Sequence, residues 1–280
     1  MIELSYAKIN LCLNIKRRRE DGYHELESIF LPVALSDILF IEPTNEASSL
    51  TCTNDDIPLD DRNLILKAIR LFKETYQREE NFRVHLVKRI PAEAGLGGGS
   101  SNAAAMLRVM NNILQMNLSL EELAKLGVQL GADVPFFMYQ EPAYVSGIGE
   151  YIERVRFPMR FRILLVKPPF GISTKQAYQT LNLMNAEHCD CKDIFHKIEQ
   201  DLYDETMTAI ANSLEESAIR LQPEIQTIKE ELLALGFDCA LMSGSGSSVF
   251  AITKNVAILN KGHEFYKKKN YFAEKTLVKY

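Results

Sequence analysis

Apolar positions in the first fifteen residues alternate loosely, at Ile2, Leu4 and Tyr6 and then at Ile9, Leu11, Leu13 and Ile15. This period of two predicts a strand over 1–15. Residues 16–25 are charged and turn around Gly22, and 29–41 return to apolar and β-branched types, broken by Pro32 and by Ser36 and Asp37. From Asn63 to Gln77 the period changes, with Leu64, Ala68, Leu71, Phe72 and Tyr76 on one helix face. Phe82, Val84 and Leu86 alternate with polar residues up to Lys88, a half-buried strand that Pro91 ends. Helices are predicted over 102–116 and 119–130, the second opened by a Ser119/Glu122 capping box and closed at Gly131. Residues 132–137 read as extended or turn.

Farther on, the charged, proline-bounded residues 151–160 form a seam, and 161–167 reads as a buried strand. Helices are predicted near 174–183, 205–221 and 223–235. Short strands over 237–242 and 248–253 flank the serine–glycine run Ser243 to Ser247, and a helix and a strand finish the chain. Strands and helices mix without strict β-α-β alternation, so an α+β fold is favoured over a doubly wound sheet. The 280 residues suit two domains, placed at 1–155 and 156–280.

Composition narrows the field. Apolar residues make up 46% and charged residues 25%, which excludes a disordered chain. The net charge of −5 leaves no general basic field for gripping nucleic acid, although local loops can still bind acidic small ligands. No apolar run approaches the ~18 residues that span a bilayer, and the first residues lack the pattern of a signal peptide. Five scattered cysteines do not read as a disulfide framework, so the expected compartment is the cytoplasm. The one cluster, His188-Cys189-Asp190-Cys191, has ligand types but no second half at metal spacing, and the expectation is against a metal there.

The most unusual stretch is Pro91, Ala92, Glu93, Ala94, Gly95, Leu96, Gly97, Gly98, Gly99, Ser100 and Ser101, between a strand and a helix. Glycines let backbone N–H groups converge, and a helix N-terminus adds partial positive charge, so the stretch reads as a phosphate cradle. It lacks the Gly-Lys-Ser/Thr of a P-loop, the third glycine of a dinucleotide fingerprint, and the partner motifs of protein kinases.

Three further motifs accompany it: Ala7-Lys8-Ile9-Asn10-Leu11, Gly131-Ala132-Asp133-Val134-Pro135, and the run from Met242 to Ser248. In order along the chain, these four resemble the GHMP kinases, a superfamily of small-molecule kinases. Asp21-Gly22-Tyr23-His24 and Asp61-Arg62-Asn63-Leu64 narrow the resemblance to the branch whose substrate carries a cytidine diphosphate. A homoserine, mevalonate or sugar kinase is the alternative, disfavoured because those substrates have no cytosine to stack.

The resemblance implies a ribosomal-protein-like ATP-binding domain followed by a ferredoxin-like α+β domain, with the site in the cleft between them. It implies transfer of the γ-phosphate of ATP to the 2-hydroxyl of a methylerythritol moiety, in the non-mevalonate route to isoprenoids. Asp133 would take the hydroxyl proton and Lys8 would stabilise the developing charge. ATP would lie on residues 91–101, with Asn63, Leu64 and Lys88 on its side. Asn10, Tyr23, His24, Thr174 and Tyr178 would bind the other substrate, two tyrosines stacking on the base. Mg²⁺ would accompany ATP, with Ser100 or Ser101 as candidate ligand. No nucleic acid or membrane partner is implied, and the expected assembly is a monomer or homodimer. Ser213 stands where the family often has Asp. Glu93 stands where a small residue is common, and its side chain is expected to point outward.

Overall fold

The computed structural model describes residues 1–279. Long strands β1 (Ile2–Arg18) and β2 (His24–Thr44) open the chain, followed by β3 (Ser49–Cys52), helix α1 (Leu64–Tyr76) and β4 (Asn81–Val87). Three helices come next, α2 (Gly98–Ile113), α3 (Leu120–Gly127) and α4 (Val134–Tyr139), and then β5 (Ala143–Gly147), β6 (Tyr151–Arg154) and β7 (Arg162–Lys167). Helices α5 (Thr174–Gln179), α6 (Cys191–Glu199), α7 (Tyr203–Ala209), α8 (Glu215–Leu221) and α9 (Glu224–Ala234) precede β8 (Cys239–Met242) and β9 (Val249–Thr253). Helix α10 (Val256–Lys268) and β10 (Phe272–Thr276) end the fold, which is α+β as expected. No helix among the described residues is long and apolar enough to cross a membrane.

The chain forms two compact units. The first comprises Met1–Ala7, Leu35–Ala92 and Gly97–Gln140; the second comprises Lys8–Ala34, Glu93–Leu96 and Glu141–Tyr280. Strands β1 and β2 are therefore each divided between units.

In the first unit, Ile38–Thr44 of β2 pair antiparallel with β4, and β3 pairs parallel with β4. Helices α1 to α4 pack together. Helix α1 forms because its apolar residues repeat at helical spacing, burying Ile65, Ala68, Ile69 and Phe72 on one face. Each large side chain so buried contributes on the order of 1.5–3 kcal/mol. Helix α3 carries the capping box that its sequence announced.

In the second unit, Leu26–Phe30 of β2 pair antiparallel with β5, and β5 with β6. A separate antiparallel sheet runs β10-β7-β9-β8, with α9 and α10 packed on it. Its core joins Leu164, Val166, Ala251 and Val249 to Ile225, Ile228, Leu232 and Tyr266.

Several elements depart from the sequence expectation. Residues 205–221 are two helices, because the stretch between them pairs with β1: the Leu13 N–H donates to the Ala211 carbonyl, and the Ser213 N–H to the Leu13 carbonyl. Strand β2 runs unbroken through Pro32, which gives up only its own N–H while its carbonyl accepts from the Lys279 N–H. Residues 134–139 are helix rather than extended chain, with Pro135 in the first turn where its missing N–H has no helical partner. The glycines at 98 and 99 belong to α2, which starts at Gly98 and not near 102. Strands β3, β5 and β6 and helix α6 had no clear periodicity to announce them.

Candidate active site

In the second unit, residues 93–96 run between β1 and the hairpin joining β8 to β9. The Lys8 N–H donates to the Leu96 carbonyl at 3.1 Å, while Ser247 and Ser248 N–H groups donate to the Glu93 and Ala94 carbonyls at 3.3 and 3.2 Å. The Ser243 hydroxyl donates to the Gly95 carbonyl at 3.0 Å and accepts the Asn10 N–H at 3.2 Å. Gly95 has φ +71°, and a Cβ there would stand 2.0 Å from the Ser243 carbonyl oxygen, so only glycine fits. Three motifs far apart in sequence thus meet at one place.

Lys8 and Asn10 point into that meeting place. The Lys8 ammonium, 3% exposed, donates to Asn10 Oδ1 at 2.5 Å and lies 4.7 Å from the centre of the Phe30 ring. Asn10 Nδ2 donates to the Ser28 hydroxyl at 2.9 Å, and that hydroxyl donates to the Cys12 carbonyl at 2.5 Å. A Cβ on Gly244 would lie 3.0 Å from Asn10 Oδ1 and 3.4 Å from the Lys8 ammonium. The cation is therefore fixed in direction by an amide and a ring face before any ligand arrives.

Elsewhere in this unit the His24 and Tyr178 rings stand 5.0 Å apart at 38°. Burial and the nearby Arg18 pull the His24 pKa below its usual value, which favours the neutral ring. Tyr23 is 59% exposed at the β1–β2 turn, so the ring beside Tyr178 is that of His24. The Thr174 hydroxyl shares a hydrogen bond of 3.0 Å with the Ser245 hydroxyl, tying the start of α5 to the hairpin.

The first unit holds the remaining predicted residues. Gly97, at φ +70°, is the N-cap of α2, and the Ser101 N–H donates to its carbonyl. Ser101 is fully buried and accepts a hydrogen bond from the Ser5 hydroxyl at 2.7 Å, whereas Ser100 is half-buried with its Oγ 3.8 Å from where a Gly131 Cβ would be. Asn63 caps α1, accepting the Ile65 N–H at 2.9 Å, and Leu64 reaches to within 3.5 Å of a Cβ built on Gly99. Lys88 lies beside Gly98 but is buried in an ion pair with Asp37 at 2.7 Å, and burial pulls its pKa down. Asp133 is half-buried at the N-cap position of α4.

Sequence reasoning gave no role to the residues that hold these loops, although Asn212 and Glu215 flank Ser213 in a stretch that resembles a family motif. Asp37 also accepts the Arg89 and Ile90 N–H groups at 2.7 and 2.8 Å, fixing the approach to the glycine stretch; an acid amid apolar strand residues was its only signal. Asn212 Nδ2 donates to the Met242 and Gly244 carbonyls, both at 2.8 Å, and Glu215 accepts the Met242 N–H at 2.8 Å. Together they anchor the hairpin from behind. Burial raises the Glu215 pKa, opposed by the Lys229 ion pair.

The two departures have physical accounts. Ser213 is fully buried, accepts the Ile15 N–H at 3.1 Å and donates to the Glu187 carbonyl at 2.9 Å. An ionised carboxylate could not make that second bond, because it has no proton to give. Glu93 is exposed, in a left-handed backbone conformation at φ +48°, and its carboxylate lies 2.5 Å from where a Cβ on Gly171 would be.

For Mg²⁺, the glycine stretch offers hydroxyl oxygens, while its backbone N–H groups suit an anion. Among the described residues, the one group of three or more His, Cys, Asp or Glu at metal-holding distances is Cys12, Cys189 and Cys191, all soft thiol ligands. Mg²⁺ takes oxygen ligands, and the hydroxyl oxygens of Ser100 and Ser101 are of that kind.

The GHMP kinases N terminal domain family matches residues 63–141, and the GHMP kinases C terminal family matches residues 195–268. A 4-diphosphocytidyl-2-C-methyl-D-erythritol kinase from Protochlamydia amoebophila is 41% identical over 248 residues, covering 89% of this chain and 83% of the relative. The kinase of the same name from Clostridium beijerinckii is 40% identical over 273 residues, covering 95% of each. The crystal structure of a 4-(cytidine 5'-diphospho)-2C-methyl-D-erythritol kinase superposes with a TM-score of 0.83 and 32% identity, covering 100% of both chains. With its fold, its glycine stretch and its whole-length similarity in agreement, the chain belongs to the 4-diphosphocytidyl-2-C-methyl-D-erythritol kinase family of GHMP kinases.

Proposed function

We propose that this protein transfers the γ-phosphate of ATP to the 2-hydroxyl of 4-diphosphocytidyl-2-C-methyl-D-erythritol, giving the 2-phosphate and ADP in the non-mevalonate route to isoprenoid precursors. The observation that carries the reading is the buried Lys8 ammonium, aimed by Asn10 beside Gly95, Ser243 and Gly244. Phosphoryl transfer needs positioned charge more than covalent chemistry, and a cation fixed next to a glycine cradle supplies it.

In this reading Asp133 accepts the hydroxyl proton, and Lys8 neutralises charge on the transferring phosphoryl group. The stretch 91–101 cradles the triphosphate, with Asn63 and Leu64 toward the adenine. Lys88 supports that stretch through Asp37, its ammonium being spent on the ion pair. Mg²⁺ comes in with ATP, with Ser100 the hydroxyl suited to it, since Ser101 is engaged with Ser5. His24 and Tyr178 receive the cytosine, Tyr23 covers it from solvent, and Asn10 and Thr174 contact the polar remainder. The functional division falls near residue 155, as 1–155 and 156–280. The reading carries with it a cytoplasmic location, a monomer or homodimer, and no nucleic-acid or membrane partner.

The test is ADP release in a coupled assay with ATP, Mg²⁺ and the cytidine substrate, beside wells holding mevalonate, homoserine and galactose. Turnover is expected with the cytidine substrate alone. Turnover with another acceptor would discard the cytosine site, and silence in every well from folded, ATP-binding protein would discard the activity.

A further inference from the structure

Three of the five cysteines meet in the second unit, one of them, Cys12, two residues along β1 from Asn10. Cys12 lies on β1, Cys191 opens α6, and Cys189 stands just before it; their sulfur atoms all lie within 4.8 Å of one another. Cys12 Sγ and Cys191 Sγ are 3.1 Å apart, and Cys189 Sγ and Cys191 Sγ 3.8 Å. Thiolates at ~2.3 Å from one zinc ion stand roughly 3.8–4.0 Å from each other, so small side-chain rotations bring all three to one centre. The sequence hid this because Cys12 supplies the half that 188–191 lacks.

The neighbours of the cluster define it further. His188 is occupied, its ring nitrogens facing Asn14 Oδ1 at 2.8 Å and the Leu183 carbonyl at 3.0 Å. Asp190 is occupied as well, accepting the Lys192 and Asp193 N–H groups to cap α6. The sulfurs alone therefore converge. Cys12 and Cys191 are buried, while half-buried Cys189 lines an open groove with Asn14, Lys16, Glu27 and Lys192, which gives a cation a way in and leaves a fourth position for water.

We propose that Cys12, Cys189 and Cys191 form a binding site for a thiophilic divalent cation, with Zn²⁺ as the fitting ion. The three sulfurs bind as thiolates, the protons that their thiols lose pass to solvent, and the site carries a net charge of −1 beside Lys16 and Lys192. The S–H contacts of Cys191 with the Glu27 carbonyl and of Cys189 with the Ala211 carbonyl are given up in exchange. The ion would clip the 188–199 segment to β1.

The test is titration of the reduced full-length protein with Zn²⁺ against a chromophoric chelator, with Co²⁺ as an optical probe of thiolate ligation. One ion per chain, a thiolate-to-cobalt charge-transfer band, and release of protons to solvent on binding are expected. Cys189→Ser and, independently, Cys191→Ala should weaken binding by more than the ~100-fold upper range seen for second-sphere changes, while Cys52→Ser should not alter it. Three results would overturn the proposal: no stoichiometric binding by the reduced protein, binding without the cobalt–thiolate band, or unchanged affinity in both cluster variants. The first of these, with two thiols lost to a disulfide in air, would assign the cluster to thiol oxidation instead.

Discussion

The Asn10 backbone N–H donates to the Ser243 hydroxyl across 3.2 Å, joining residues 233 positions apart. Through the same hydroxyl, Ser243 holds the Gly95 carbonyl at 3.0 Å. One small side chain thus fixes the lysine-bearing strand against the start of the glycine stretch. Ser243→Ala leaves a buried N–H and a part-buried carbonyl without that partner. It is expected to cost about 1–3 kcal/mol in denaturant unfolding and to lower kcat/KM for ATP.

Gly95→Ala should be harsher. Its methyl group would overlap the Ser243 carbonyl at 2.0 Å on a left-handed backbone, so the cradle must shift. A displacement of roughly 1 Å can cost about 100-fold in rate. Steady-state kinetics at varied ATP should show a loss of that order, with the protein still folded by circular dichroism.

The Asp37–Lys88 pair gives a stability prediction. Both side chains are buried, so Asp37→Ala strands a cation and frees two N–H groups. A loss of about 3–5 kcal/mol is expected in chemical denaturation. The double variant Asp37→Leu with Lys88→Met should recover part of it, and a double variant as unstable as the single one would show that the N–H bonds to Asp37 dominate.

His24 should titrate below the ordinary histidine value of about 6.5, because burial first and Arg18 second disfavour its charged form. A lowered folded-state pKa means that the unfolded chain binds this proton more tightly. The stability linked to neutral His24 is therefore present above the ordinary value and is lost as pH falls through the lowered one. Imidazole NMR titration reads the midpoint, and KM for the cytidine substrate should rise over the same acidic window. Tyr178→Ala should raise that KM more than the KM for ATP.

Much of this was legible in advance, for identifiable reasons. Helix α1, strand β4 and the Ser119/Glu122 cap follow from local periodicity and capping chemistry, which tertiary context did not override. The split between α7 and α8 was not legible, because it is made by Leu13, some two hundred residues earlier, pairing with Ala211 and Ser213. Among site residues, Lys8, Asn10 and Gly95 stood out by motif. Asn212 and Glu215 stood out only as neighbours of Ser213 in such a motif, and their role was not legible, since their work is to hold the backbone of residues 242–244 from a helix start elsewhere in the chain. Lys88 could be placed near the glycine stretch, but its commitment to Asp37 depends on a strand pairing that spacing does not encode.

The central claim is that the protein transfers phosphate to the cytidine substrate with Asp133 as base, and Asp133→Asn tests it most directly. ATP binding and single-turnover phosphorylation of 4-diphosphocytidyl-2-C-methyl-D-erythritol should be measured on the variant and the parent, with the product phosphorus located by ³¹P NMR. The parent should form the 2-phosphate, and the variant should keep its ATP affinity while losing about 100- to 10,000-fold in rate, the range that general base catalysis supplies. Undiminished phosphorylation by Asp133→Asn would contradict the assignment of the base, and a parent that leaves the substrate unphosphorylated would contradict the proposed reaction.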